Sequence, residues 1–231
     1  MNIAEYKARR AGHSGPSQRP TCRQCRKALS TCYCHLLRPF TSPVPFVILQ
    51  HLAEARNSIA TARMTYASIK NCELITGNHF EHDARVNELL GDSSRRNVLL
   101  FPRRGAAPLE HFLACEPVPV FWVIDAKWAQ VPKMLRFSPN VRALEAVAFE
   151  PPGESIFSSI RTQPHAGCLS TLEAVFHVID RVKQHRGDPG TEHHALLDVF
   201  RHLIRQQLEF VRLDVRRHGA ARALRKLGRE A

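Results

Sequence analysis

The 231-residue chain contains no run of about 18 uncharged apolar residues, the length a helix needs to cross a bilayer, so no membrane span is expected. Its opening stretch, MNIAEYKARRAGHSGPSQRP, holds no apolar segment of the kind a secretion signal requires, and none is expected. There is no internal repeat and no low-complexity tract. Acidic residues are scarce at both ends: residues 1–38 carry eight Lys and Arg against one Asp or Glu, residues 201–231 carry nine against three, and residues 39–200 carry sixteen against seventeen. The formal net charge of +12 therefore resides in the ends, and a polyanion that touches both while the neutral centre does chemistry is its simplest use. An even set of cysteines is also lacking. Four of the seven crowd between residues 22 and 34, while Cys72, Cys115 and Cys168 are scattered through segments that read as structured. This indicates a reducing, cytoplasmic setting and one metal cluster, and it excludes a disulfide scaffold.

Turning to what is present, residues 1–20 read as a flexible basic leader with Gly12, Gly15, Pro16 and Pro20. PFVILQH (45–51), RNVLLFPRR (96–104) and VPVFWVID (118–125) are apolar runs halted by polar or turn residues, as strands buried on both faces should be. Another short strand is expected near Val147–Phe149. AEARNSIATARMTYASIK (53–70) places Ile59, Ala62, Tyr66 and Ile69 at helical spacing. CLSTLEAVFHVIDRVKQHRG opens a helix with Ser170 or Thr171 as N-cap and Glu173 positioned for a capping box. A last helix, about 191–217, aligns Leu197, Ile204, Leu208, Val211 and Val215 on one face. The His pair in EHH (192–194) has no partner at metal-ligand spacing and reads as a solvated helix start. Strands alternating with helices indicate an α/β domain with a mainly parallel sheet.

CRQCRKALSTCYC supplies Cys22, Cys25, Cys32 and Cys34 in the pattern C-x2-C-x6-C-x-C. Each close pair forms a tight chelate loop and the six-residue link lets the pairs meet, which suits a tetrahedral structural zinc; an iron–sulfur cluster is the other use of four thiolates. Arg19, Arg23, Arg26, Lys27 and Arg38 surround the cluster, as in a zinc knuckle that contacts nucleic acid. Asp125, at the end of an apolar run, has two readings: N-cap of a following helix, or a ligand group at the carboxyl end of a strand, where open α/β sheets bind their ligands. Trp128 either packs or stacks on a base.

Read in order, these segments resemble the DTW-domain family of tRNA-uridine aminocarboxypropyltransferases. The resemblance runs from Cys22 to Val182 and rests on the cysteine pattern, ILQHLAEARNSIATAR with His51, Glu54 and Thr61, LLFPRRGA with Pro102, VIDAKWAQVPKML with Asp125 and Trp128, SSIR with Arg161, and LSTLEA with Ser170, Thr171 and Glu173. It implies a SPOUT-like α/β fold with a C-terminal trefoil knot. It implies transfer of the 3-amino-3-carboxypropyl group of S-adenosylmethionine to N3 of a tRNA uridine. By the same token, Asp125 is the catalytic residue, and Phe101, Pro102, Ile124, Trp128, Arg161, Leu169, Ser170 and Thr171 bind the cofactor. His51, Arg23, Arg26 and Lys27 contact the substrate, tRNA, and Cys22, Cys25, Cys32 and Cys34 hold zinc. The corresponding division is 1–20 leader, 21–40 zinc module, 41–190 catalytic domain and 191–231 basic helical extension. The chain departs from the family pattern at Lys127, where Thr is expected, at Val131 and Pro132, and at Ser158, where Tyr is expected. These changes make a non-catalytic RNA-binding relative, or a transferase acting on another RNA, the alternatives.

Overall fold

A computed structural model describes residues 20–57, 59–160 and 167–218, with the side chains of 214–218 excepted. Six strands, β1 (Phe46–His51), β2 (Cys72–Gly77), β3 (Asn97–Leu100), β4 (Ala107–Pro108), β5 (Val120–Asp125) and β6 (Glu145–Ala148), form one sheet in the order β2-β1-β5-β3-β6-β4. Every pairing is parallel. The helices are α1 (Leu52–Ala55), α2 (Thr61–Ser68), α3 (Ala84–Gly91), α4 (Val131–Arg136), α5 (Pro139–Arg142), α6 (Thr171–His185) and α7 (His194–His218). None among the described residues is long and apolar enough to cross a membrane.

The central strands read as continuous apolar runs because both faces are covered. Pleating sends alternate residues to opposite sides. Phe46, Ile48, Phe121, Val123, Val98 and Leu100 join one core with α2, α6 and α7. Val47, Leu49, Leu99, Val120 and Trp122 join the other with α3, α4 and Val141. Helix α6 seals the first face through Leu172, Val175, Phe176, Val178, Ile179 and Val182, all buried; full burial stabilises by roughly 1.5–3 kcal/mol per such side chain. Its start is fixed by the expected capping box, in which the Ser170 N–H donates to Glu173 Oε2 at 2.9 Å and Ser170 Oγ accepts from the Glu173 N–H.

Several expectations need correction. The helix expected over 53–70 is two helices, since the Asn57 N–H bonds the Glu54 carbonyl, its side chain donates to the Glu54 carboxylate at 2.6 Å, and the chain leaves the helical path. Tyr66 is consequently exposed, while Ala62 and Met64 are buried. On α7 the buried stripe is Leu196, Val199, Phe200, Leu203 and Ile204, with Leu197 and Leu208 only partly buried. Two adjacent apolar stripes coexist in this sequence, and packing against α2 and α6 selects the first. The side chain of Val215 lies outside the described residues. Strand β2 is not signalled by an apolar run because it is an edge strand, half-exposed along its length, with Glu73 ion-paired to Arg85.

Candidate active site

Parity along the strands decides where the polar ends point. Asp125 follows Phe121 and Val123 on β5, Gln50 follows Phe46 and Ile48 on β1, and the two are register partners. Both therefore project to the face that α6 covers. Thr171, the first residue of α6, arrives there: its Oγ1 donates to Asp125 Oδ1 at 2.6 Å, and Gln50 Nε2 donates to Asp125 Oδ2 at 2.9 Å. Asp125 is 8% exposed, and donors on both oxygens offset the cost of burying its charge. The helix-capping reading is thereby overturned. Helix α4 starts only at Val131, after a turn closed by the Gln130 N–H to the Lys127 carbonyl at 2.7 Å, with Pro132 in its first turn and no side-chain cap.

Around Asp125 lies a cavity of about 550 Å³ at the carboxyl ends of β3, β5 and β6. Phe101, Pro102, Ile124, Trp128, Leu169, Ser170 and Thr171 line it with Asp125, so the described residues expected at a cofactor site are brought to one cavity. Arg161 lies outside the described residues. Trp128 is half-buried, not core, and faces Phe101 with ring centroids 6.0 Å apart at 31°. Lys127 lines the rim and is exposed. Glu173, 3% exposed, accepts from Ser155 Oγ at 2.6 Å and the Ile156 N–H at 2.7 Å as well as from Ser170, which draws the segment carrying Phe157 against the cavity.

His51 is not among the lining residues; its Nδ1 accepts from the Ala53 N–H at 3.1 Å and caps α1. Conversely, Gln50, Glu54 and Thr61 escaped the expected site list. Glu54 and Thr61 are cavity-lining and buried, and Gln50 grips Asp125. The signal for Gln50 was its parity: a polar residue at the end of an alternating apolar series on a central strand.

The second centre is the cysteine module. Sγ of Cys22 lies 3.7 Å from that of Cys34, Sγ of Cys25 lies 3.6 Å from that of Cys32, and all four fall within 4.8 Å of one another. A metal–sulfur bond of about 2.3 Å gives a tetrahedral edge of about 3.8 Å, so the four thiols fit one ion. Backbone N–H groups of Cys25 and Gln24 pull the Cys22 thiol down to about 6, whereas burial pushes Cys25 and Cys34 up. Arg26 holds the knuckle turn at φ 59, with its N–H on the Cys22 carbonyl at 2.8 Å. Arg23 and Arg26 are exposed and Lys27 is half-buried, its ammonium pulled down by burial; none lines the cavity. The module is tied to the sheet domain by Phe40, whose N–H and carbonyl bond Ser68 and Lys70. Buried Arg63 adds a second tie, donating to the Cys25 carbonyl at 3.4 Å and to that of Ala55 at 2.5 Å.

Residues 19–208 match the DTW domain. The chain is 34% identical over 166 residues to tRNA-uridine aminocarboxypropyltransferase 2 of Drosophila melanogaster, across 68% of this chain and 64% of that relative, and so spans less than two thirds of its length. It is 23% identical over 224 residues to tRNA-uridine aminocarboxypropyltransferase A of Arabidopsis thaliana, across 84% of this chain and 83% of that one. No solved structure matches.

Proposed function

The chain belongs to the DTW-domain family, and from that premise we propose that it is a transferase moving the 3-amino-3-carboxypropyl group of S-adenosylmethionine to N3 of a tRNA uridine. The observation that carries this reading is the convergence on one cavity of Asp125 with Phe101, Pro102, Ile124, Trp128, Leu169, Ser170 and Thr171. A cavity of about 550 Å³ with apolar walls and few polar groups suits a nucleoside cofactor. When bound, S-adenosylmethionine supplies a sulfonium whose departure as methylthioadenosine breaks the bond from sulfur to the transferred carbon as uridine N3 bonds that carbon. The N3 proton must leave, and Asp125 is the carboxylate placed to steer or accept it. Gln50 and Thr171 fix its plane. Phe101 and Trp128 offer flat apolar faces to a base, and Ser170 and Thr171 bring the start of α6, with its helix-end N–H groups, to the polar parts of the cofactor. Their common task is orientation, since the carbon presented to N3 must be the aminocarboxypropyl one and not the methyl. Arg161 belongs to the same reading as a partner for the cofactor carboxylate, and His51 as a substrate contact.

Lys127, Val131 and Pro132, three of the four departures from the family pattern, sit in the turn and helix after Asp125. Hydrogen bonds that hold Asp125 come from β1 and α6. That supports an active enzyme over a non-catalytic relative. The SPOUT-like knotted arrangement belongs to the same reading, and the all-parallel sheet with its cavity at the strand ends fits the α/β core of that arrangement.

Zinc is the ion proposed for the cysteine module: the thiol spacings match a single tetrahedral ion, and an iron–sulfur cluster would hold the sulfurs further apart. Four thiolates close the coordination shell, so its role is structural. Exposed Arg23 and Arg26, with Lys27, are the proposed phosphate contacts of tRNA. A cytoplasmic location is supported by seven cysteines none of which forms a disulfide. The division into 1–20, 21–40, 41–190 and 191–231 follows the same reading.

The deciding experiment is single-turnover reaction of the full chain with S-adenosylmethionine and unmodified tRNA, read by nucleoside mass spectrometry. Aminocarboxypropyl-uridine is the expected product. Cofactor binding without any tRNA product would overturn the tRNA reaction in favour of a non-catalytic relative or a transferase acting on another RNA, and a methylated nucleoside would overturn the choice of transferred group.

A further inference from the structure

Among the described residues a second group of metal-ligand side chains exists, remote in sequence from the cysteines: Asp180, His193 and His194, whose ligand atoms all lie within 4.8 Å of one another. Sequence spacing reads 192–194 as a solvated helix start, but His193 is 2% exposed and packs between α6 and α7. Asp180 reaches it from thirteen residues upstream on α6. From this geometry we propose a second divalent-metal site at the junction of α6 and α7, formed by Asp180, His193 and His194 and suited to zinc or a neighbouring first-row ion.

The site is built from more than proximity. His193 Nε2 lies 3.3 Å from Asp180 Oδ1. An oxygen and a nitrogen each about 2.1 Å from one ion at a tetrahedral angle stand about 3.4 Å apart. Phe176 orients both imidazoles, stacking on His193 at 5.1 Å and 27° and meeting His194 at 5.5 Å and 66°. Gln184 Nε2 donates to Asp180 Oδ2 at 2.7 Å and leaves Oδ1 turned to His193, the kind of outer hydrogen bond that orients a ligating carboxylate. The nearest ammonium, Lys183, is neutralised by Asp188 and Glu192 at 2.6 and 2.7 Å, so with Asp180 the local balance is negative. Two imidazoles and one carboxylate, without thiolate, favour zinc, cobalt or nickel over calcium or magnesium. The ion would clamp the start of α7 to α6 and leave a coordination position to water.

The test uses untagged full chain with zinc in its cysteine site, titrated with cobalt(II) chloride and followed by absorption and elemental analysis. Expected is one cobalt per chain in addition to the zinc, with visible d–d bands and without the near-ultraviolet charge transfer that thiolate ligation produces. His194→Gln and Asp180→Asn, both at partly or fully exposed side chains, should weaken this cobalt at least tenfold while leaving the zinc in place. A total of one metal per chain, or a second ion bound equally well by His194→Gln and Asp180→Asn with their folds intact by circular dichroism, overturns the site.

Discussion

The cysteine module and the strand-end cavity are assembled by opposite means. In the module, four ligands come from thirteen consecutive residues, and a knuckle turn at Arg26 brings the first pair together within one short loop. At the cavity, Phe101, Asp125 and Thr171, with Gln50 bonded to Asp125, come from the end of β3, β5, α6 and β1, and no two of them are neighbours in the chain. The module's geometry is local, with four thiols held at close quarters by one short loop. The cavity's geometry is global and depends on the sheet register that sets Gln50 beside Asp125. Damage to each should therefore have its own signature.

The largest effect is expected at the module. Cys25 is 3% exposed and opens onto the core shared with Tyr33, Leu37 and Phe40. Cys25→Ser should abolish zinc binding at the module and lower the thermal midpoint more than any single change in the cavity. Structural zinc contributes on the order of 10 kcal/mol to folding in isolated zinc-finger peptides. Metal analysis and calorimetry check this, and a variant that keeps both its ion and its midpoint would break the contrast between the two centres.

Next is Asp125→Asn. Asn preserves shape, still accepts from Thr171, and lets Gln50 flip its amide to accept. Stability, metal content and cofactor affinity should stay near wild type. The single-turnover rate should fall about 10²–10⁴-fold, the usual cost of removing a positioned proton acceptor. Undiminished turnover would leave Asp125 as a tie between β1, β5 and α6 and nothing more.

The smallest effect sharpens the comparison, because Arg63 touches both regions. It is 9% exposed and satisfies the Cys25 carbonyl in the module and the Ala55 carbonyl beside the cavity-lining Glu54. Arg63→Met fills similar volume but strips both carbonyls of a donor, costing about 1–3 kcal/mol. If the regions are coupled, metal affinity and cofactor affinity fall together by a few fold in titration calorimetry. A fall in metal affinity alone would show them independent.

How much of this is legible beforehand follows the same division. The apolar runs announced β1, β3 and β5, and Ser170 with Glu173 announced the start of α6, because burial on both faces and helix capping are properties of short stretches. The edge strand β2 and the break at Asn57 were not announced, since one depends on a single-sided neighbour and the other on a side chain turning back on Glu54. Asp125 was located correctly at a strand's end but with two roles open. Its meeting with Gln50 and Thr171 removed the helix-capping role.

By itself, the sequence determined the alternation of strands and helices, the basic ends and the cysteine spacing, all of which act within one turn, one strand or one loop. Tertiary structure alone decided that Gln50 and Thr171 hold Asp125, that His51 caps α1 instead of lining the cavity, and that His193 is buried against Asp180. The reason is physical. Ligand spacing and apolar period are fixed by backbone geometry over a few residues. Which polar side chains meet at the end of a parallel sheet depends on strand order and helix docking, and those are set by the packing of the whole core.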